Sequence, residues 1–405
     1  MKTITEPARE TPVVREVDVV VAGGGPAGIA AALAAARNGA KTLLVERYGY
    51  LGGMITGSNI TWYLGFGNGK QQLVHGIADE TVNRLDEVGG LVSDRNDSGD
   101  CNSDAEFVKW LSIVMLEEAG AEILLHSWAA DAVVEDGVCA GIIVQNKAGR
   151  QAILAKVVVD TTADGDVSLA AGAEMKTDKH DITLICHVEG VDREKAKAFE
   201  KSEPDKHAKL MSELDGMGGM VPSRGGAKFQ GRSTVDVNDL TYIENEARKR
   251  IFTGVNFLRE NVPGYEKAKV AWTAPQLGIR EGRKIVGEYA ISEEDILNSV
   301  KADDTIGCCG AQMTGYKLYD VAGLNYDIPY RCLVPKKIDG LLAGGRCISA
   351  THEAMNTLRL IVPCVLTAEA AGTAAALAAK DGVAPRDVDV AKLQEQLKKQ
   401  GNNLG

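Results

Sequence analysis

Gly23, Gly25 and Gly28 stand in a Gly-x-Gly-x-x-Gly spacing directly after the β-branched run VDVVVA (17–22), and Glu46 follows 18 residues after the last of them. That pattern suits a dinucleotide. The first glycine permits a tight turn, the second lets a pyrophosphate approach the backbone, and the third lets helix and strand pack closely, with the helix N-terminus facing the phosphate charge. An acid at the end of the next strand, here Glu46, binds both hydroxyls of an adenosine ribose and disfavours a 2′-phosphate. The spacing therefore points away from NADP and leaves NAD and FAD open.

The elements that must hold these residues are legible nearby. VDVVVA, the glycine turn, the alanine-rich IAAALAAARNGA and the run TLLVE predict strand, turn, helix and strand. Residues 104–119 have helical spacing, and three strand-like runs follow Gly120, separated by turn signals at Asp136-Gly137 and Ala148-Gly149. They predict a small β-meander ending in KVVVDTTADGD. From about residue 175 the character changes to one strand-like run, a charged helical stretch, a Gly/Met/Pro-rich loop to about 235 and a longer helix within 239–261. The charge run reads as a solvated helix face. The opening style returns near the end, where GLLAGG predicts a strand and VPCVLTAEAAGTAAALAAK a small-residue helix stopped by Asp381-Gly382, with Pro363 in its first turn.

The expected fold class is α/β: a Rossmann-type cofactor domain with a β-meander, interrupted by an inserted α+β substrate or cap domain. Its boundaries are set at 15–174 and 326–385 for the cofactor domain, 175–325 for the insertion and 386–405 for a C-terminal tail helix. A chain of 405 residues has ample length for two cores.

Composition removes several function classes. With 45 Lys and Arg against 56 Asp and Glu, a formal charge of −11 offers no general attraction to nucleic acid or to an anionic membrane. No run approaches the ~18 uninterrupted apolar residues of a spanning helix, and residues 1–16 lack the apolar core of a signal peptide. The expectation is a soluble, cytoplasmic protein. Eight scattered cysteines without a CxxC suit reduced thiols and make a structural metal unexpected.

RYGYLGGM, directly after Glu46, resembles the segment that FAD enzymes of the glutathione-reductase-like superfamily place along the pyrophosphate and ribityl chain. The blocks GGGPAGIAAALAAARNGAKTLLVERYGYLGGM, VVVDTTADGDVSLAAGAE, GIREGRKIVGEY, YDIPYRCLVPKKIDGLLAGGRCISATHEAMNTLR and AAGTAAALA, from residue 23 to about 380, resemble the successive signatures of a broad bacterial family of FAD-dependent oxidoreductases. The resemblance implies FAD as cofactor. It places Gly23, Gly25, Pro26, Ala27, Glu46, Arg47, Gly53 and Met54 along the adenosine diphosphate, with Gly28 completing the motif. It also implies that Ala163 and Asp164 meet FAD at a strand end, and that Gly345 and Arg346 lie beside the ribityl chain. The backbone at Leu360 and Ile361 would donate to the flavin pyrimidine oxygen, where a helix N-terminus stabilises the reduced anion. For Asp164 and Asp166 the alternative is simple helix capping.

The segment 346–359, RCISATHEAMNTLR, would then cross the flavin. His352 is the leading catalytic candidate, since an unperturbed imidazole titrates near neutrality and can exchange a proton as hydride moves; a purely hydrogen-bonding role is the alternative. Arg359, Arg280 and Arg283 are candidates to clamp a carboxylate or enolate, because guanidinium pairs bidentately with planar anions. Arg280 and Arg283 have the alternative of pairing with Glu281 or Glu288. Tyr316, Tyr319, Tyr326 and Tyr330 are candidates to stack on substrate or simply to pack. The adjacent Cys308 and Cys309 would close only a strained ring, which argues against a dithiol relay.

The expected activity is that of a dehydrogenase or reductase moving hydride between a substrate carbon and flavin N5, with a small-molecule substrate, a separate electron acceptor or donor and a homo-oligomeric assembly as candidate partners. A redox CxxxxC and a second dinucleotide motif, which a disulfide reductase needs, are absent. A flavin-dependent hydroxylase remains an alternative, although Asp164-Gly165-Asp166-Val167-Ser168 lacks the arginine of a DGxxSxxR-like segment. FAD kept for structure in a hydratase, isomerase or binding protein is the other.

Overall fold

The structure is a computed structural model and describes residues 2–5, 7–221, 226–310 and 322–405. The chain forms two compact units: residues 1–53, 62–176 and 283–405 make the first, and residues 54–61 and 177–282 the second.

The first unit is built on a mixed sheet in the order Glu122–Leu124, Thr42–Val45, Val13–Ala22, Gly149–Asp160, Val138–Asn146, Trp128–Glu135. Val13–Ala22 runs parallel to both its neighbours. The long strand Gly149–Asp160 explains how a meander joins a parallel sheet. On one edge its first half takes Val138–Asn146 antiparallel, and further along it takes Leu341–Ala343 parallel through Val158–Asp160. The core of the sheet is β-branched: Val19, Val20, Val21, Val157, Val158 and Val159 are all buried, as strands covered on both faces require.

Two alanine-rich helices lie within this unit, Pro26–Arg37 and Ile361–Asp381, and their small residues let the backbones nearly touch. A Cβ on Gly372 would sit 2.1 Å from the Ala31 carbonyl oxygen, so only glycine fits that crossing. By mean hydropathy, 1.6, Ile361–Asp381 is apolar enough to cross a membrane, but 94% of that window is buried inside the protein. The uninterrupted-run test missed it because Thr367, Glu369 and Thr373 break the run, yet all three are buried. Gly382, at φ +67, ends this helix as expected.

The second unit, taken alone, is α+β. A three-stranded antiparallel sheet, Ala227–Phe229, Ile182–Leu184, Gly278–Ile279, buries Ile182 and Leu184 against Ile243, Ala247 and Ile251 of the helix Val237–Asn261. Asp236 caps that helix, accepting from the Asn238 and Asp239 amides. The charged stretch is two helices, Arg193–Ser202 and Pro204–Gly216, because Pro204 suits a first turn and disfavours continuation.

Residues 283–325 had been placed with the insertion, but their described part groups with the first unit. The strand Thr305–Cys309 pairs with Tyr326–Pro329, and Gln394 of the C-terminal helix Val390–Lys399 donates to the Thr305 carbonyl at 3.1 Å.

Candidate functional site

The three glycines of the turn are required for three different reasons. Gly23 sits at φ +101, and a Cβ there would lie 2.6 Å from the Thr161 carbonyl oxygen. A Cβ on Gly28 would lie 1.7 Å from the Gly23 oxygen, so helix and strand meet backbone to backbone. Gly25, the N-cap of Pro26–Arg37, is different: its Cβ would find only the Gly53 Cα, at 3.8 Å. Open space in front of Gly25 at a helix N-terminus is the cradle a pyrophosphate needs. Pro26 takes the first helical position, and Ala27 lies directly under the turn.

Glu46 is 7% exposed, and its carboxylate accepts from the Gly24 amide at 2.6 Å and the Tyr48 amide at 2.9 Å. Two bonds leave acceptor capacity for ribose hydroxyls. The Arg47 guanidinium lies 4.9 Å from the ring centres of both Tyr48 and Trp128. Gly53 adopts φ +47 facing Gly25, while Met54 opens the second unit, where its sulfur accepts from the Ser58 hydroxyl at 3.2 Å.

At the end of Gly149–Asp160 the chain is tightly organised. Asp160 is fully buried, with one oxygen accepting from the Thr162 amide and hydroxyl and the other from the Ser168 amide and hydroxyl. Ala163 then adopts φ +72, a conformation costly for any residue with a Cβ. The turn it makes presents Asp164 to Arg346, 3.0 Å apart and 182 residues distant in sequence, with Arg346 8% exposed. The pair is out of line for a hydrogen bond, which leaves Arg346 Nη1 and Asp164 Oδ1 buried without one. Replacing Ala163 with glycine should relieve the backbone and raise the stability of the FAD-free protein by about 0.5–1 kcal/mol. Thermal unfolding tests this, and a loss of stability would refute the strain.

Asp166 is not an N-cap. Gly165 holds that position, the Thr162 hydroxyl accepts from the Asp166 amide, and the Asp166 carboxylate pairs with Arg283. Arg283 also donates to the Asp164 carbonyl at 2.9 Å. It therefore braces the strand end and is not committed to Glu288, which pairs with Arg386. Burial, with Asp160 and Asp164 close by, pushes the Asp166 carboxyl up despite Arg283.

Gly345, at φ +79, places its backbone where a Cβ would lie 2.7 Å from that of Ala27, and its amide donates to the Thr367 hydroxyl at 3.1 Å. Leu360 is the N-cap of Ile361–Asp381, a helix start with no side-chain cap and no acid in its first turn. The Leu360 amide, expected as a donor to the flavin, instead donates to the Thr357 carbonyl at 3.1 Å and the Val362 amide to the Leu64 carbonyl at 3.4 Å, so Ile361 is the expected donor that stays at this positive helix end. The open cradle at Gly25, the buried Arg346 and Asp164 atoms without a hydrogen bond, and this uncapped helix start all fit FAD.

The catalytic candidates fall in different places. His352, half-buried, lies in the turn before the short helix Met355–Leu358, and Arg359 is the C-cap of that helix, so both are carried by the first unit. Arg280 belongs to the second unit. Tyr316 and Tyr319 lie outside the described residues. Tyr326 and Tyr330 are buried, and the Tyr330 hydroxyl donates to the Pro385 carbonyl at 2.7 Å. Cys308 and Cys309 are buried in their strand, and burial raises both thiols above their ordinary value. Motif spacing did not single out Thr161, whose hydroxyl donates to the Ala22 and Gly23 carbonyls at 2.8 and 2.9 Å, or Thr367; their partners are remote in sequence.

The family model described as FAD dependent oxidoreductase matches residues 18–397. A thiamine thiazole synthase of Methanococcus maripaludis is 33% identical over 159 residues, 36% of this chain and 56% of the relative; one of Methanococcus aeolicus is 33% identical over 179 residues, 42% and 62% respectively. The chain thus spans little more than half the length of these relatives. A geranylgeranyl bacteriochlorophyll reductase-like structure from Thermoplasma acidophilum is similar at TM-score 0.49 and 14% identity, covering 96% of this chain and 84% of that one. With the family match extending over nearly all of its 405 residues, this chain belongs to the FAD dependent oxidoreductase family, and it is an enzyme whose cofactor is FAD.

Proposed function

We propose that this enzyme is a dehydrogenase or reductase of the glutathione-reductase-like superfamily in which a hydride passes between a carbon of a small organic substrate and N5 of FAD. The observation that carries the reading is the dinucleotide cradle at Gly25, together with eight cysteine thiols that burial holds above their ordinary value. A buried, protonated thiol is a poor nucleophile, which disfavours a disulfide relay.

In this reading Gly23, Gly25, Pro26, Ala27, Gly28, Gly53 and Met54 hold the diphosphate, Glu46 and Arg47 the adenosine, and Asp164 and Arg346, with Ala163 and Gly345, the ribityl chain. The amide at Ile361, at the N-terminus of the helix Ile361–Asp381, offsets negative charge that reduction would place beside it. An imidazole nitrogen of His352 takes the substrate hydroxyl or ammonium proton as the C–H bond breaks, and returns it in the reverse direction. Arg359 orients a carboxylate or enolate, and Arg280 is a candidate for the same task on its residue chemistry alone. The two electrons leave through a separate acceptor, with the cytoplasm as the proposed setting. The match to thiamine thiazole synthases covers 36% of the chain and carries neither their reaction nor their substrates over to it.

The test is the visible spectrum of the purified protein before and after anaerobic addition of hydroxy, keto and amine compounds. Flavin bands that bleach with one compound class support the reading and identify the substrate class. Rapid reduction by NAD(P)H alone, tightly coupled to hydroxylation of an added compound, would replace it with the hydroxylase alternative.

A further inference from the structure

Glu369 lies in the middle of the helix Ile361–Asp381 and is 1% exposed, a position where carboxylates are rare unless they serve a purpose. Its Oε2 accepts from the Ile77 amide at 2.9 Å, at the start of the helix Gly76–Glu87, whose own N-cap, His75, provides no side-chain cap. Its Oε1 accepts from the Asn402 side-chain amide at 2.6 Å. Gly76, at φ +64, is what lets these groups meet, since a Cβ there would lie 2.6 Å from Glu369 Oε2 and 2.7 Å from Asn402 Oδ1. One buried carboxyl therefore ties a helix start to the last four residues of the chain.

Those last residues are held as a strap. Asn403 donates from its side chain to the Leu73 carbonyl at 3.3 Å and accepts from the Cys308 amide at 3.3 Å, and Leu404 is buried. Beside them a cavity of about 680 Å³ reaches Glu369. The titratable groups that face it are Arg37 from Pro26–Arg37, and His75, Asp79, Glu80, Arg84 and Glu87 from the other wall; from the C-terminal helix it is lined by the uncharged Gln396 and Gln400. Arg37 is already committed to Glu80, at 2.6 and 2.8 Å, and Arg84 to Glu118. Among the described residues no cation pairs with Glu369, and Arg37 acts on it only from a distance.

We propose that residues 402–405 form a proton-controlled latch, closed over Glu369 in its neutral form and released towards the adjoining cavity when Glu369 ionises. Asn402 suits both states: its amide nitrogen donates to a carboxylate, and with the amide turned over its oxygen accepts from the protonated acid. Burial, outweighing the Ile77 and Asn402 donors and Arg37, pushes the Glu369 carboxyl up to about 7, and Glu80 adds to the rise. Opening hydrates the group and returns it towards its ordinary value of 4.5. The closed form binds the proton more tightly, so release grows as pH rises towards neutrality and levels off above the closed-state value.

Amide hydrogen exchange of residues 402–405 in the FAD-loaded full chain, corrected for intrinsic rates, tests the latch. The opening equilibrium should increase about tenfold from about pH 6 to about pH 8. Glu369→Gln should remain closed and flat with pH, while Asn402→Ala, which retains the buried acid, should be open and nearly flat. A native protein with no pH dependence, or a Glu369→Gln protein with the native dependence, overturns the proposal. If Glu369→Gln fails to fold, native and Asn402→Ala protein showing the same pH ratio overturns it instead.

Discussion

Gly25→Val should yield a folded protein that no longer retains FAD. The backbone at Gly25 is extended, at φ −73, and a Cβ there meets nothing nearer than 3.8 Å, so the apoprotein has room for a side chain to start at this position. The side chain instead fills the space in front of the Pro26–Arg37 N-terminus, where the pyrophosphate must approach. A loss of about 4 kcal/mol in FAD affinity, or about a thousandfold, is expected, read as the ratio of visible flavin absorbance to protein absorbance after purification. Gly28→Ala provides the contrast. Its Cβ would lie 1.7 Å from the Gly23 carbonyl oxygen, so helix and strand must separate, at a cost of about 3 kcal/mol in thermal unfolding. If Gly25→Val keeps its flavin, the cradle is misplaced; if it unfolds as Gly28→Ala does, the distinction between the two glycines fails.

His352→Ala should retain both fold and flavin and lose most turnover. The residue is half-buried in the turn before Met355–Leu358, and it is neither a neighbour of the open space at Gly25 nor a member of the Asp164–Arg346 pair. Removing a general acid or base costs about 10²–10⁴ in rate. The measurement is the anaerobic rate of flavin bleaching by the substrate class found in the spectral screen. Unchanged bleaching ends the candidacy of His352 as acid or base and shifts attention to Arg359 and Arg280. Loss of flavin in the variant would instead give His352 a cofactor-holding role.

Much of the cofactor half was readable because its signals are local. The run 17–22, three glycines in six positions, the alanine-rich helix and the acid that ends TLLVE fall within thirty residues, and each element follows from its own periodicity or turn chemistry. The stop at Gly382 was legible for the same reason, whereas the break at Pro204 falls inside what reads as one charged helical stretch. The second unit carried strand and helix patterns but no motif. Arg280 therefore rests on residue chemistry alone.

What the sequence by itself determined, then, is the dinucleotide βαβ unit, the meander, the small-residue final helix and FAD as the group they serve, because these depend on contacts between residues close in the chain. Only the tertiary structure decided which remote groups meet. Thr161 fastens the glycine turn from 138 residues away, Arg346 pairs with Asp164, Arg283 answers Asp166 and not Glu288, and Glu369 joins Ile77 to Asn402. Such pairings leave no periodic trace, since a hydrogen bond between distant residues is set by how the layers pack and not by the spacing of its partners. For the same reason Glu369 looks in sequence like one polar interruption of an alanine-rich helix, and becomes a buried acid only once other elements close around it.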